Sequence, residues 1–195
     1  MNELKSSRRG LIRMAGTGAL SAVAVGVLGG IPAIARSRDT TPGVAAHAGD
    51  IDILNVALGL ELEAIEAYQI GAESGLLQKP VLDLALVFQG QHKGHRDALV
   101  GTIGQLGGRP VEAKTRAEYV IDLNIAAIKN QEDILRLAQL HERGAANAYI
   151  GVMPSLGDRD LAQVCARIAA DEAAHWSLLT SALNEALPKA AFMFG

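Results

Sequence analysis

Apolar positions recur at alternating steps of three and four over four long stretches of this 195-residue chain, and no stretch alternates residue by residue as a half-buried strand would. The spacing predicts helices over about 51–74, 80–107, 131–153 and 158–187. Pro80, Pro110, Pro154 and Pro188 fall at the edges of these stretches and never inside one, as the clash of proline with a helix interior requires. The connections ESGLLQKP and PSLGD are short, so the helices they join should be antiparallel neighbours. Roughly twenty residues, within GGRPVEAKTRAEYVIDLNIAAIKN, separate the second helix from the third, enough to run the length of a bundle. The expected fold is all-α: an antiparallel four-helix bundle over 50–188, with a long crossover between helices 2 and 3 and a short tail, 189–195. Residues 36–49, RSRDTTPGVAAHAG, read as a flexible lead-in.

Each helix carries one apolar seam, and ionisable residues interrupt all four seams. The seams run Leu54, Leu58, Glu61, Ile65, Tyr68, Ala72; then Ala85, Phe88, His92, His95, Leu99, Leu106; then Leu135, Ala138, Glu142, Ala145, Tyr149, Val152; then Leu161, Cys165, Ile168, Glu172, His175, Leu179. Counted from the helix starts at a rise near 1.5 Å per residue, all six charged or imidazole groups fall close to mid-helix, so an antiparallel bundle brings them into one layer. Corresponding residues in the two halves lie 81, 81, 80 and 80 positions apart (Glu61 and Glu142, Tyr68 and Tyr149, His92 and Glu172, His95 and His175), the mark of a duplicated helical hairpin. Three buried carboxylates without partners would cost several kcal/mol each. Cations arriving in the layer make sense of that cost. Carboxylate and imidazole donors suit iron, manganese or zinc, and residues three apart on a helix share a face, so Glu172 and His175 can chelate. Asp171 is placed to orient His95, Gln91 to orient His175, and Tyr68 and Tyr149 to bond the carboxylates. A polar layer joined only by hydrogen bonds is the competing reading. Glu63, Glu66 and the charges of HERG other than Glu142 are expected at the surface, Cys165 as small apolar filler, and Gly90 with Gly94 as a place where helices approach closely.

The first 35 residues read as an address. Ser7, Arg8, Arg9, Gly10, Leu11, Ile12 and Arg13 match the twin-arginine export signal, and an uncharged run follows from Met14 to the small-x-small triplet Ala33, Ile34, Ala35. Cleavage is expected after Ala35 and export to the periplasm or cell envelope, with the translocase as a transient partner. Five glycines and Pro32 make the run a poor membrane anchor. Losing Lys5, Arg8, Arg9, Arg13 and Glu3 takes the formal charge from −3 to −6, which attracts neither nucleic acid nor anionic lipid and predicts no stable membrane insertion after cleavage. The remaining length suits one domain burying about 70% of its unfolded surface. A single cysteine rules out an intrachain disulfide.

From about residue 50 to 187 the chain resembles the ferritin-like superfamily. ALGLELEAIEAY is similar to the first helix of an exported ferritin-like domain family related to plant desiccation-related proteins, and DEAAH resembles the Asp-Glu-x-x-His of the di-iron carboxylate enzymes. The resemblance implies two divalent metal ions, iron or manganese, with Glu61 and His95 serving one, Glu142 and His175 the other, and Glu172 bridging. His92 departs from the family, which places a second bridging Glu there; an asymmetric dinuclear site or a mononuclear one then stands beside the paired centre, with zinc as an alternative metal. The expected activity is redox chemistry on peroxide or dioxygen in oxidative-stress defence, catalase-, peroxidase- or ferroxidase-like, without the Cys-x-x-Cys pairs of a rubrerythrin. The alternative is a non-enzymatic stress-protective or metal-sequestering envelope protein with a degenerate site. Small oxidants or metal ions are the expected partners, and a homo-dimer is compatible with either reading.

Overall fold

The computed structural model of the protein describes residues 44–195, with side chains from Ala48 onward. The export signal with Arg8 and Arg9, the cleavage site after Ala35 and residues 36–43 lie outside the described residues. Five α-helices follow in order: α1 (Val44–Glu73), α2 (Lys79–Gln105), α3 (Arg116–Asp122), α4 (Gln131–Val152) and α5 (Arg159–Ala182), with single 3-10 turns at Ile125–Ala127 and Met153–Ser155. Among the described residues there is no strand, and no helix is long and apolar enough to cross a membrane.

The four long helices are the four expected, with shifted ends. α1 begins at Val44, inside the stretch expected to be a flexible lead-in. The end of α2 is set by Gly107, whose φ of 79° only glycine adopts freely; the Gly108 amide then bonds back to the Ile103 carbonyl at 2.8 Å and the Gly107 amide to Gly104. Asn184, at φ 55°, closes α5 in the same way, with the Glu185 amide on the Thr180 carbonyl, so the helix stops five residues short of the predicted 187. N-termini are capped by side chains: Asn130 accepts from the Asp133 amide and Asp158 from the Asp160 amide. The crossover is also ordered locally. Thr115 and Glu118 form a capping box that starts α3, and Asn55 on α1 holds the approach by accepting from the Val111 amide and donating to the Arg109 carbonyl.

α1 pairs with α2, α4 with α5, and the two hairpins meet along α1 and α4. The core has two apolar clusters on this frame. One gathers Leu54, Leu58, Leu99, Ile103, Cys165 and Ile168; the other, toward the opposite end, gathers Tyr68, Ala85, Phe88, Leu135 and Leu179. Each fully buried Leu or Ile contributes roughly 1.5–3 kcal/mol. α3 covers the outside through Tyr119 and Leu123, packed on Ile70 and Leu137. The seams differ from expectation in places: Ala64, Ile103 and Ala146 are buried, whereas Ile65, Leu106 and Ala145 are only partly so. Gly90 and Gly94 do not mediate helix contact; both are exposed, with open space where a Cβ would stand. The close approach is at Gly108, where a Cβ would lie 2.7 Å from Ile51 Cγ2. Asp50, buried, accepts from the Gly157 amide and pins the turn before α5 to α1. Cys165 is fully buried, and burial pushes its thiol up to about 11.

Candidate metal centre

Between the two apolar clusters lies one polar layer. Glu61 on α1, His92 and His95 on α2, Glu142 on α4, and Glu172 and His175 on α5 are all buried there. Burial follows from register: each stands where the seam would carry an apolar residue, between Leu58 and Ile65 on α1, Phe88 and Leu99 on α2, Ala138 and Ala145 on α4, and Ile168 and Leu179 on α5. His92 stands at the middle. Its Nδ1 is 2.8 Å from Glu61 Oε2 and its Nε2 is 3.2 Å from Glu142 Oε1. His95 Nδ1 is 3.0 Å from Glu172 Oε1 and 3.5 Å from Glu61 Oε2. On the other side, His175 Nδ1 is 3.2 Å from Glu142 Oε2 and 3.7 Å from Glu172 Oε2.

Around these six the supports are exchanged between the hairpins. Tyr68, from the first half, donates its hydroxyl to Glu142 of the second, and Tyr149 donates to Glu61 at 2.5 Å. The outer nitrogen of His95 lies 3.1 Å from Asp171 Oδ2, and that of His175 lies 2.5 Å from Gln91 Oε1. An acceptor on the outer nitrogen favours the hydrogen there, so in the neutral ring it is Nδ1 that offers its lone pair to the layer. Two contacts to the rings were not read from the sequence: Phe88 stacks on His175 with centroids 4.1 Å apart, and Tyr68 leans over His92 at 5.5 Å. Heptad spacing carried both residues as seam positions but says nothing of ring stacking. The HERG segment also differs from expectation, since His141 is partly buried, 3.5 Å from an equally sheltered Glu63, and burial lowers its affinity for a proton. Glu66, expected at the surface, is likewise only partly exposed, 3.4 Å from Arg116.

Burial and the close packing of carboxylates and imidazoles shift the proton affinities in the layer. Burial opposes a charge on His92, yet its hydrogen bonds to Glu142 and Glu61 outweigh this and hold it up at about 11. His95, likewise opposed by burial but lying against the carboxylates of Glu172 and Glu61, is raised to about 10. Glu172 is pushed up to about 7 by burial first and by the neighbouring Glu142 next, while Glu142 itself, despite burial, is held well below the usual carboxylate range by its neighbours. Both oxygens of Glu172, and Nδ1 of His95, are buried with no aligned hydrogen bond. Neighbouring charges reach Glu172 at short range, but none is oriented to bond it. Buried carboxylate oxygens and a ring nitrogen without hydrogen bonds are an arrangement that a bound cation would satisfy. Two four-ligand groups can be drawn, Glu61 with His92, His95 and Glu172, and His92 with Glu142, Glu172 and His175, each with its ligand atoms within 4.8 Å of one another. The donor set fits iron, manganese or zinc.

The sequence model of the ferritin-like domain matches residues 49–185, all but the first turn of the bundle and the whole of its polar layer. The chain belongs to the ferritin-like family. Solved structures agree with this ferritin-like fold. A conserved hypothetical protein, rv2844, from Mycobacterium tuberculosis is 21% identical, with a TM-score of 0.61 over 76% of this chain and 99% of that one. A dodecameric thioferritin, the bacterioferritin-related protein of Bacteroides fragilis, is 20% identical, with a TM-score of 0.60 over 73% of this chain and 88% of that one. No protein of curated function matches the chain. Family and cluster together make this a ferritin-like protein with a buried His/Glu site suited to metal ions.

Proposed function

We propose that this ferritin-like protein is exported, binds iron or manganese in the mid-bundle layer, and reacts there with peroxide or dioxygen as a defence against oxidative stress. Export rests on the Ser-Arg-Arg signal and the small-x-small triplet ending at Ala35. The observation that carries metal binding is Glu172, a fully buried carboxylate whose two oxygens have no hydrogen bond. A bound redox ion would supply electron transfer to the oxidant. The chain's own residues do the rest. Asp171 and Gln91 fix the tautomers of His95 and His175, Tyr68 and Tyr149 hold the carboxylates, and the apolar clusters on either side exclude bulk water. An apolar cavity of about 40 Å³, lined by Leu77, Val81 and Leu179 among others, reaches Tyr68 and Phe88 and gives a small molecule room beside the layer.

Metal analysis and peroxide turnover of the exported protein test this reading. Iron or manganese with peroxide or dioxygen consumption supports it; a tightly held redox-silent zinc, with no turnover, replaces it by sequestration. That second reading is favoured by His92, an imidazole where the family places a carboxylate. Assembly into a homo-oligomer, on the precedent of the dodecameric thioferritin, belongs to the same proposal, and sedimentation as a monomer would remove it.

A further inference from the structure

The two four-ligand groups share two members, Glu172 and His92. Glu172 can serve both at once, because a carboxylate has two oxygens: Oε1 faces His95 Nδ1 at 3.0 Å and Oε2 faces His175 Nδ1 at 3.7 Å. His92 is divided in the same way, with Nδ1 toward Glu61 and Nε2 toward Glu142. A neutral imidazole, however, carries its lone pair on one nitrogen and a hydrogen on the other. If Nδ1 ligates, the Nε2 hydrogen points at Glu142 Oε1; if Nε2 ligates, the Nδ1 hydrogen points at Glu61 Oε2. Either way the opposite group keeps three donors, with an N–H aimed where its fourth should be and one of its carboxylate oxygens occupied by that hydrogen. Charge does not decide the count. Three carboxylates with two divalent ions leave one positive charge in the core, and with one ion leave one negative, and burial penalises both. Lone pairs decide it.

We propose that His92 holds this centre to a single metal ion per chain, completing either four-ligand group but never both. The inference rests on the metal-binding reading above. Titration of the metal-free full-length protein with manganese(II), counted by native mass spectrometry and followed by electron paramagnetic resonance, tests it without reference to activity. Wild type should saturate at one ion with the spectrum of an isolated ion. His92→Glu restores a second bridging carboxylate, and its count should double to two, with the spectrum of an exchange-coupled pair. Wild type taking two ions overturns the proposal, and so does His92→Glu saturating at one. Should that variant not fold, the wild-type count decides alone. A chain that takes up neither manganese(II), iron(II) nor zinc(II) overturns the metal reading itself and this proposal with it, a result distinct from a count of two.

Discussion

The two hairpins, α1–α2 and α4–α5, follow one plan, and of the four pairs of polar residues on their seams only one differs in kind. Glu61 and Glu142, Tyr68 and Tyr149, and His95 and His175 stand at equivalent places, and each tyrosine serves the other hairpin's carboxylate. His92 and Glu172 are also equivalent and chemically unlike. The carboxylate of the second hairpin has both oxygens without a hydrogen bond, whereas the imidazole of the first has both nitrogens in contact with carboxylates. One half therefore presents an unsatisfied acceptor and the other satisfies two acceptors internally. A scaffold can be copied with its tyrosine supports intact while one substitution changes what the interior is able to hold.

The hardest blow to that comparison is Glu172→Ala, which removes an oxygen from both ligand groups at once. Metal affinity should fall by more than the ~10–100-fold that orienting partners are worth, read by competition with a chelator; a loss smaller than that would mean the unsatisfied carboxylate is not where the ion sits. A second break comes from pH. His92 at about 11 and His95 at about 10 are raised from an ordinary 6.5, and Glu172 at about 7 from 4.5, so the folded chain binds protons that the unfolded chain releases. The stability these groups contribute is whole below their unfolded values. It is lost as pH rises through about 7 for Glu172 and through about 10 to 11 for the histidines. Glu61 and Glu142, whose values are lowered, lose their contribution only on acidification, outside that window. The melting temperature of metal-free protein should thus fall from pH 7 to 10 more than that of loaded protein, whose ligands are already deprotonated. Equal falls would contradict the raised proton affinities of His92, His95 and Glu172.

A finer test sets Tyr68→Phe beside Tyr149→Phe. Each leaves a buried carboxylate short of one donor at a cost of about 1–3 kcal/mol, measurable in urea unfolding of the metal-free protein. Equivalent supports predict matching losses; a gap above about 1 kcal/mol would show that the duplication is not energetic. The smallest effect belongs to Glu63→Gln. Its carboxylate lies beside His141 and off the layer, so metal affinity should be unchanged and stability should move by no more than about 0.5 kcal/mol.

The four long helices were legible because their seams repeat every three and four residues over more than twenty positions, and proline brackets them. The convergence of six polar groups was legible for the same reason, since equal depth along antiparallel helices means equal height in the bundle. What was hidden depends on groups far apart in sequence or on local hydrogen bonds. The helix ends at Gly107 and Asn184 are set by left-handed backbone and not by the nearest proline. Thr115 and Glu118 spell a capping box, yet only seven residues of helix follow it, too few for a periodic signal. The divided contacts of His92 depend on which way a ring turns between α1 and α4, and no spacing rule reports that.

The thiol of Cys165 has a practical consequence. It is the chain's only cysteine, sits one heptad from Glu172 and is both inaccessible and strongly protonated, so alkylating reagents meet it only when the helices part. Its labelling rate is a built-in stopwatch for opening of the interior. Timed with and without added ion, it reports in minutes or hours how firmly the bundle is latched.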